Sequence, residues 1–556
     1  MSQGYLALVL HAHLPFVRHP EHEESLEENW LFEALTETYL PLLLMIDRLA
    51  ADGVDFRLTF SITPTLASMW SDGLLQERYL ERLDRLIELG TKEKRRTRHE
   101  PALHGLASMY QGQLRTIRTA FVSRYRRDLI GAFRRLQDQG TIEIIAGAAT
   151  HAYLPLLLVH PPSVRAQVRV GVDTYRGLFG RKPRGFWLPE CGFAQGLDSV
   201  LAGQGIRYTI VETHGLTRAV PRPRYGVHAP VYTREGLAFF GRDPASSKQV
   251  WSAAEGYPGD FDYREFYRDI AYDLDLGYIG PYVHRDGIRT DTGYKYYRIT
   301  GKTERKEVYV PGRARRKVLI HAQHFLSEKK RAIGRLSAVM DRKPLIVAPY
   351  DAELFGHWWF EGPLWLEALL RLVHRQRRTL RLVTLSEYLD EYPVNQVAEP
   401  APSSWGNRGF SEVWQNRSND WIYRHLHQAG LRLERLARQH PTARGLTLRA
   451  LKQGVRELLL AQASDWAFMM NSGATATYAT QRVKSHLLRL DRLWKDLRRG
   501  AVDRQWLSAI EAQDTIFPSI DYRLFSADKT QGGAMPRDSF RGGRGKPSKE
   551  GGTSGV

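Results

Sequence analysis

The sequence predicts an α/β barrel of parallel strands followed by an all-α domain. Three observations carry that reading. Short apolar, β-branched runs recur as far as Thr384, helical patterns separate most of them, and beyond a Pro- and Ser-containing break the strand signal disappears. The runs are Tyr5–Leu10, Phe56–Ile62, Thr141–Ala146, Gly185–Leu188, Ile206–Val211, Lys317–His321, Leu345–Ala348 and Leu380–Thr384. Between them, Tyr39–Ala50 sets Leu40, Leu43, Leu44 and Leu49 near one face, and Asp128–Gln139 ends at Gly140. Strands alternating with helices pair in parallel through crossovers, and this many units favours a barrel over an open sheet.

Residues 71–127 are helical in pattern and highly charged, which predicts a helical insertion after the second strand. Residues 218–316 are rich in Gly, Tyr and Arg with weak periodicity, which predicts long active-site loops. The break falls at Pro393–Ser404. Beyond it, Ala450–Phe468 lines up Leu451, Val455, Leu458, Leu459 and Trp466, and Arg482–Leu497 lines up Val483, Leu487, Leu490, Trp494 and Leu497. The expected division is a catalytic barrel over 1–395, an all-α domain over 405–525 that completes the cleft, and a disordered basic tail over 526–556.

Composition narrows the classes. The chain has 556 residues, 42% of them hydrophobic, enough for a large core and two or three domains. One cysteine, Cys191, excludes an intramolecular disulfide and a cysteine-based zinc site, and fits a reducing cytoplasm. The opening run lacks a preceding basic region and is interrupted by His11 and His13, so it reads as a buried strand and not a signal peptide. No apolar stretch is long enough to span a membrane. The net charge of +19 raises nucleic acid as a partner, but the basic residues lie in helical patterns and the tail with no known binding motif, so none is expected. A monomer or weak homo-oligomer is expected. The 13 Trp are individually best read as core, though indoles also stack on sugar rings.

Polar residues collect at the ends of these strands. The first runs into His11-Ala12-His13, the third toward His151, the fourth into Glu190, the fifth into Glu212-Thr213-His214, and the seventh into Asp351-Ala352-Glu353. Barrel enzymes gather their catalytic groups at that rim. Two chemistries fit it. A His-x-His pair with a late Asp could hold a metal for hydrolysis, as in a barrel deacetylase or amidohydrolase. Alternatively, Glu190 and Asp351 could form the carboxylate pair of a retaining glycosidase, about 5 Å apart. Spacing alone does not choose.

Five segments resemble signature regions of glycoside hydrolase family 57. They are His11–Phe16, Gly140–Ile144 through His151, Trp187-Leu188-Pro189-Glu190-Cys191-Gly192-Phe193, Ala348–Trp359, and Ala463-Ser464-Asp465-Trp466. Val250-Trp251-Ser252, Gly256–Asp260 and Tyr263–Asp269 resemble its 1,4-α-glucan branching enzyme subgroup. The resemblance implies a distorted (β/α)7 barrel, a helical insertion and a helical C-terminal domain. It implies Glu190 as nucleophile, Asp351 as acid/base and no metal or other cofactor. The substrate would be an α-1,4-glucan, cleaved with retention and passed to a 6-hydroxyl as an α-1,6 branch; an α-amylase-like hydrolase is the alternative. Glucan contacts are implied for Arg264, Gly280, Trp405 and Asp465, with Trp30 and Trp414 as aromatic platforms. His11, His13 and His151 would hydrogen-bond sugar hydroxyls or the carboxylates. Two features depart from the subgroup. The loop Gly241–Val250 has no Tyr where relatives place one over the site, with Tyr225 and Tyr232 lying upstream, and Ala271-Tyr272 stands where relatives often have Gly-Trp.

Overall fold

A computed structural model describes residues 2–252 and 255–526; the expected tail over 526–556 falls, apart from Ser526, outside the described residues. The described residues contain nine strands: β1 (Gly4–Ala12), β2 (Leu58–Ile62), β3 (Ile142–Gly147), β4 (Gly185–Trp187), β5 (Tyr208–Val211), β6 (Val231–Tyr232), β7 (Ala238–Gly241), β8 (Leu345–Asp351) and β9 (Leu380–Leu382). Their order is β6-β7-β5-β4-β3-β2-β1-β8, and β9 pairs with the start of β1. All pairings but β6–β7 are parallel. β1 is buried at every position, as a strand covered on both faces must be.

Seven parallel strands, β1–β5, β7 and β8, form a curled sheet. Just past β7, Asp243 N–H donates to Val347 O on β8 (2.8 Å), and the segment before β6 reaches the start of β8 through Leu345 N–H to His228 O (2.9 Å). Helices Gly73–Arg96 and Pro101–Thr119 pack against each other after β2. No helix among the described residues is long and apolar enough to cross a membrane.

Two expectations need correction. Lys317–His321 is not a strand; it lies inside the helix Pro311–Ser337, which buries Ala314, Val318, Ala322, Phe325, Leu326 and Ile333 at helical spacing. A 3.6-residue period sustained over 27 residues overrides a five-residue β-branched run. The missing strand is β7, Ala-Phe-Phe-Gly, inside the stretch expected to be irregular. Ala450–Phe468 is likewise not one helix. The chain breaks at Gln462–Ala463, giving Gly445–Ala461 and Ser464–Ser472, so Trp466 and Asp465 begin a new helix.

That break docks the C-terminal helices on the barrel. The Thr150 hydroxyl donates to Leu459 O. Gln167 Nε2 reaches Thr150 Oγ1 (2.9 Å), Gln462 Oε1 (3.1 Å) and Leu459 O (3.3 Å). Ser464 N–H donates to His151 O at 3.1 Å.

Candidate active site

Glu190 lies three residues past β4, in a turn that forces it into left-handed backbone geometry (φ 61°, ψ 23°). Cys191 (φ 49°) and His151 (φ 56°) share that geometry. Such residues cost about 1–3 kcal/mol each and persist only where the surroundings hold them. Here the break segment does the holding. Trp405 N–H donates to Glu190 O (3.0 Å), and Phe193 pairs with Ser403 through both backbone bonds.

The Glu190 carboxylate accepts from two side chains. Trp405 Nε1 donates to Oε2 at 2.7 Å, and Ser464 Oγ donates to Oε1 at 3.1 Å. Behind Ser464 runs a chain of polar contacts: His151 Nδ1 to Ser464 Oγ (2.9 Å), His11 Nε2 to His151 Nε2 (2.9 Å), and Ser61 Oγ to His11 Nδ1 (3.1 Å). Because Ser464 spends its proton on Glu190, it must accept from His151 Nδ1–H. His151 Nε2 then accepts from His11 Nε2–H, and His11 Nδ1 accepts from Ser61. Both imidazoles are neutral in this arrangement, and burial followed by the His13 charge holds both pKa values well below the usual range. His11 also stacks on buried Trp187 (4.5 Å).

His13 behaves differently. Burial would lower its pKa, but the Asp465 carboxylate, at 3.0 and 3.1 Å from Nε2, and the charges of Glu190 and Glu353 together raise it. His13 Nδ1 meets Thr63 Oγ1 at 3.1 Å. His13, His151 and Asp465 bring possible metal-ligand atoms within 4.8 Å of one another. A metal ligand has to be a neutral imidazole with a free nitrogen. Both ring nitrogens of each histidine are already engaged within the protein, and Asp465 favours the protonated form of His13. The donor set suits a hydrogen-bonded network better than a cation.

Asp351 ends β8 directly beside His11 on β1. On a flat sheet the four steps from β4 to β8 would span about 19 Å. The curl closes that distance enough for Glu190 to act on Asp351. Burial first, then the charges of Glu353 and Glu190, raise the Asp351 pKa well above the carboxylate range, opposed by Arg242. Among the described residues no donor hydrogen-bonds the Asp351 carboxyl. Glu190 is raised as well, again by burial, with the Trp405 hydrogen bond working against it. The cleft therefore holds one carboxylate gripped by two donors and one that favours its proton. Such a pair can combine attack with proton donation.

Residues 7–401 match the family described as glycosyl hydrolase family 57. The chain belongs to that family. Residues 425–525 match a second description, 1,4-alpha-glucan branching enzyme, C-terminal. The family 57 chain is 34% identical to the 1,4-alpha-glucan branching enzyme TK1436 of Thermococcus kodakarensis over 93% of this chain and 77% of that one. Its fold is similar to the crystal structure of an alpha-amylase, AmyC, from Thermotoga maritima (45% identity, TM-score 0.89, covering 94% and 99% of the two chains). It is also similar to that of the Pyrococcus horikoshii branching enzyme (32%, TM-score 0.85, 96% and 98%).

Within this family 57 chain the structure brings Glu190, Asp351, His11, His13, His151, Trp405 and Asp465 together. Four expected residues lie apart from that network. Arg264 is buried, its guanidinium 4.1 Å from the Phe360 ring centre and 4.0 Å from Glu37. Gly280 starts a turn, Gly280–Tyr282, that packs on helix Gly73–Arg96. Trp30 is half-buried, edge-on to Tyr478 (5.9 Å). The platform expected at Trp414 is corrected: only 1% exposed, it stacks on Tyr153 at 4.5 Å and has no face to offer a sugar.

Sequence reasoning missed Ser464, Arg242 and Glu353 as working parts. Arg242 pairs with Glu212 (2.9 Å), and its guanidinium lies 5.4 Å from the Trp405 ring centre. It follows β7, the strand the sequence conceals. Glu353 accepts from Tyr39 and from His13 N–H. Its two-residue offset from Asp351 at a strand end was a usable signal, since alternate residues share a face. The loop Gly241–Val250 becomes the end of β7 and most of a helix, Pro244–Trp251, capped by Asp243. At the end of that helix, Trp251 comes edge-on to Trp405 at 6.4 Å.

Proposed function

We propose that the chain is a retaining 1,4-α-glucan branching enzyme. The observation that carries this reading is the unequal pair: Glu190 held by Trp405 and Ser464, and Asp351 left without a donor beside two other carboxylates. Glu190 attacks the anomeric carbon of an α-1,4-glucan, and Asp351 gives its proton to the leaving 4-oxygen. The glucosyl-enzyme is then opened by a glucan 6-hydroxyl, whose proton returns to Asp351. Burial, then the charges of Glu353 and Glu190, favour a protonated Asp351 for the first step, and loss of negative charge from Glu190 on forming the ester eases the reversal. His13, which favours its protonated form, works with the Trp405 and Ser464 hydrogen bonds against the burial and the Asp465 charge that raise the Glu190 pKa. The single cysteine, buried Cys191, suits a reducing cytoplasm.

The branching outcome is supported by the match over 425–525 and by the relatives so described. One observation favours a second reading, α-glucan hydrolysis: the 45%-identical Thermotoga protein is described as an alpha-amylase. Amylose separates the two. Branching predicts lost iodine staining and new α-1,6 anomeric proton signals with few new reducing ends. A rise in reducing ends without α-1,6 signals assigns hydrolysis instead. Glu190→Gln is expected to bind glucan with turnover reduced to background; substantial activity would remove Glu190 as nucleophile.

A further inference from the structure

Trp358 and Trp359 are sequence neighbours with opposite fates. Trp359 is 2% exposed, packed against Tyr263 and Trp365. Trp358 is 54% exposed. One face of its indole stacks on Phe266 at 4.6 Å and 23°, and Phe266 meets exposed Tyr267 edge-on. Scattered single exposed hydrophobics are ordinary, but Trp358, Phe266 and Tyr267 form a contiguous aromatic patch, which is the kind of surface that binds.

The backbone fixes where that indole sits. Trp358 N–H donates to Glu353 O (3.2 Å), Trp359 N–H to Leu354 O (2.9 Å), and Gly356 N–H to Trp359 O (2.8 Å). The turn that starts at Asp351 is thereby tied back on itself, and Trp358 is held beside Glu353. Polar groups border the aromatic pair. His357 Nδ1 contacts Glu37 at 2.6 Å, and among the described residues Glu33, on the helix leading into Glu37, makes just a long contact to Arg82 (3.5 Å). A flat apolar face bordered by hydrogen-bonding carboxylates matches the alternation of C–H faces and hydroxyls on a glucose ring.

We infer that Trp358, backed by Phe266, forms an acceptor-side subsite for an α-glucan, with Glu33 and the Glu37–His357 pair taking hydroxyls. The inference rests on the α-glucan reading of Glu190 and Asp351 above. It adds the side of the bond. Asp351 gives its proton to the leaving oxygen, so the departing chain, and later the incoming one, must lie on the Asp351 side. The loop that carries Trp358 leaves from Asp351 itself.

An α-maltosyl fluoride donor tests this, since fluoride departs without glucan contacts and the glucosyl-enzyme then partitions between water and added maltoheptaose. Trp358→Ala is expected to raise the maltoheptaose KM about tenfold and to cut the transfer-to-hydrolysis ratio at least fivefold, with Trp358→Tyr recovering most of both. An unchanged KM and ratio in Trp358→Ala overturns the subsite. If that variant does not fold, oxidation of Trp358 by N-bromosuccinimide in the wild-type chain decides, read by peptide mass mapping. Saturating maltoheptaose should slow it severalfold, and undiminished oxidation overturns the proposal. A wild-type chain that turns over neither the fluoride nor amylose removes the α-glucan reading, and the subsite with it.

Discussion

The two carboxylates work through the atoms around them. Trp405 Nε1 is one of two side-chain donors to Glu190, and a hydrogen bond to a charged group is worth about 1.5–3 kcal/mol. Trp405→Phe keeps the ring and removes the donor. We expect kcat on amylose to fall roughly 10- to 100-fold, the kinetic equivalent of that energy. Burial already raises the Glu190 pKa and the Trp405 bond opposes it, so losing the bond moves the pKa further up. As the proposed nucleophile, Glu190 must be ionised to attack. The acidic limb of the kcat profile should therefore shift to higher pH in Trp405→Phe; an unmoved limb with normal kcat would mean the bond does not act on the nucleophile. At this scale the sequence was informative about type. Glu190, Asp351 and three histidines stood at strand ends, whereas Ser464 fell inside a stretch that reads as one continuous helix.

At the scale of elements, the site depends on a helix break that hydrophobic patterning hid. The apolar stripe runs through Gln462–Ala463, so periodicity alone joins two helices. Polar contacts to the barrel decide otherwise. Gln167 receives Thr150 N–H (3.0 Å) and donates to Leu459 O and Gln462, all buried. Gln167→Ala would strand several of those groups, at about 1–3 kcal/mol each. We expect a lower apparent Tm and, because Ser464 and Asp465 follow directly, a lower kcat on amylose. A Tm loss with unchanged kcat would show that the junction stabilises the chain without positioning the site. The same kind of override made Lys317–His321 helical: five residues suggested a strand, and the 27-residue period decided otherwise.

At the scale of the molecule, the fold tolerates burial and an unfavourable charge cluster around Asp351, the proposed acid. Burial, Glu353 and Glu190 raise the Asp351 pKa in the folded chain above its unfolded value. The folded state then binds more protons, so this group's contribution to stability falls as pH rises from the unfolded Asp pKa, about 3.9, toward the raised folded value. Asp351→Asn removes that penalty. It should abolish turnover yet unfold at a higher temperature than the wild type above the raised pKa, by about 1 °C for each kcal/mol relieved. The gap should close as pH falls toward 4. A Tm difference independent of pH would show that Asp351 carries no such strain.

What the sequence determined by itself was local: alternating strands and helices, polar residues at strand ends, and motifs shared with family 57. Those follow from side-chain periodicity and residue chemistry, which nearby residues specify. The tertiary structure decided what meets what. It decided that β7 and not Lys317–His321 is in the sheet, that Trp414 is core, and that Ser464 and Arg242 serve the cleft. It also buried Asp351 beside Glu353 and brought Glu190, four strands away in the sheet, close enough to add to the upward push on its pKa. Curvature and docking between distant segments have no local period, so no stretch of sequence alone displays them.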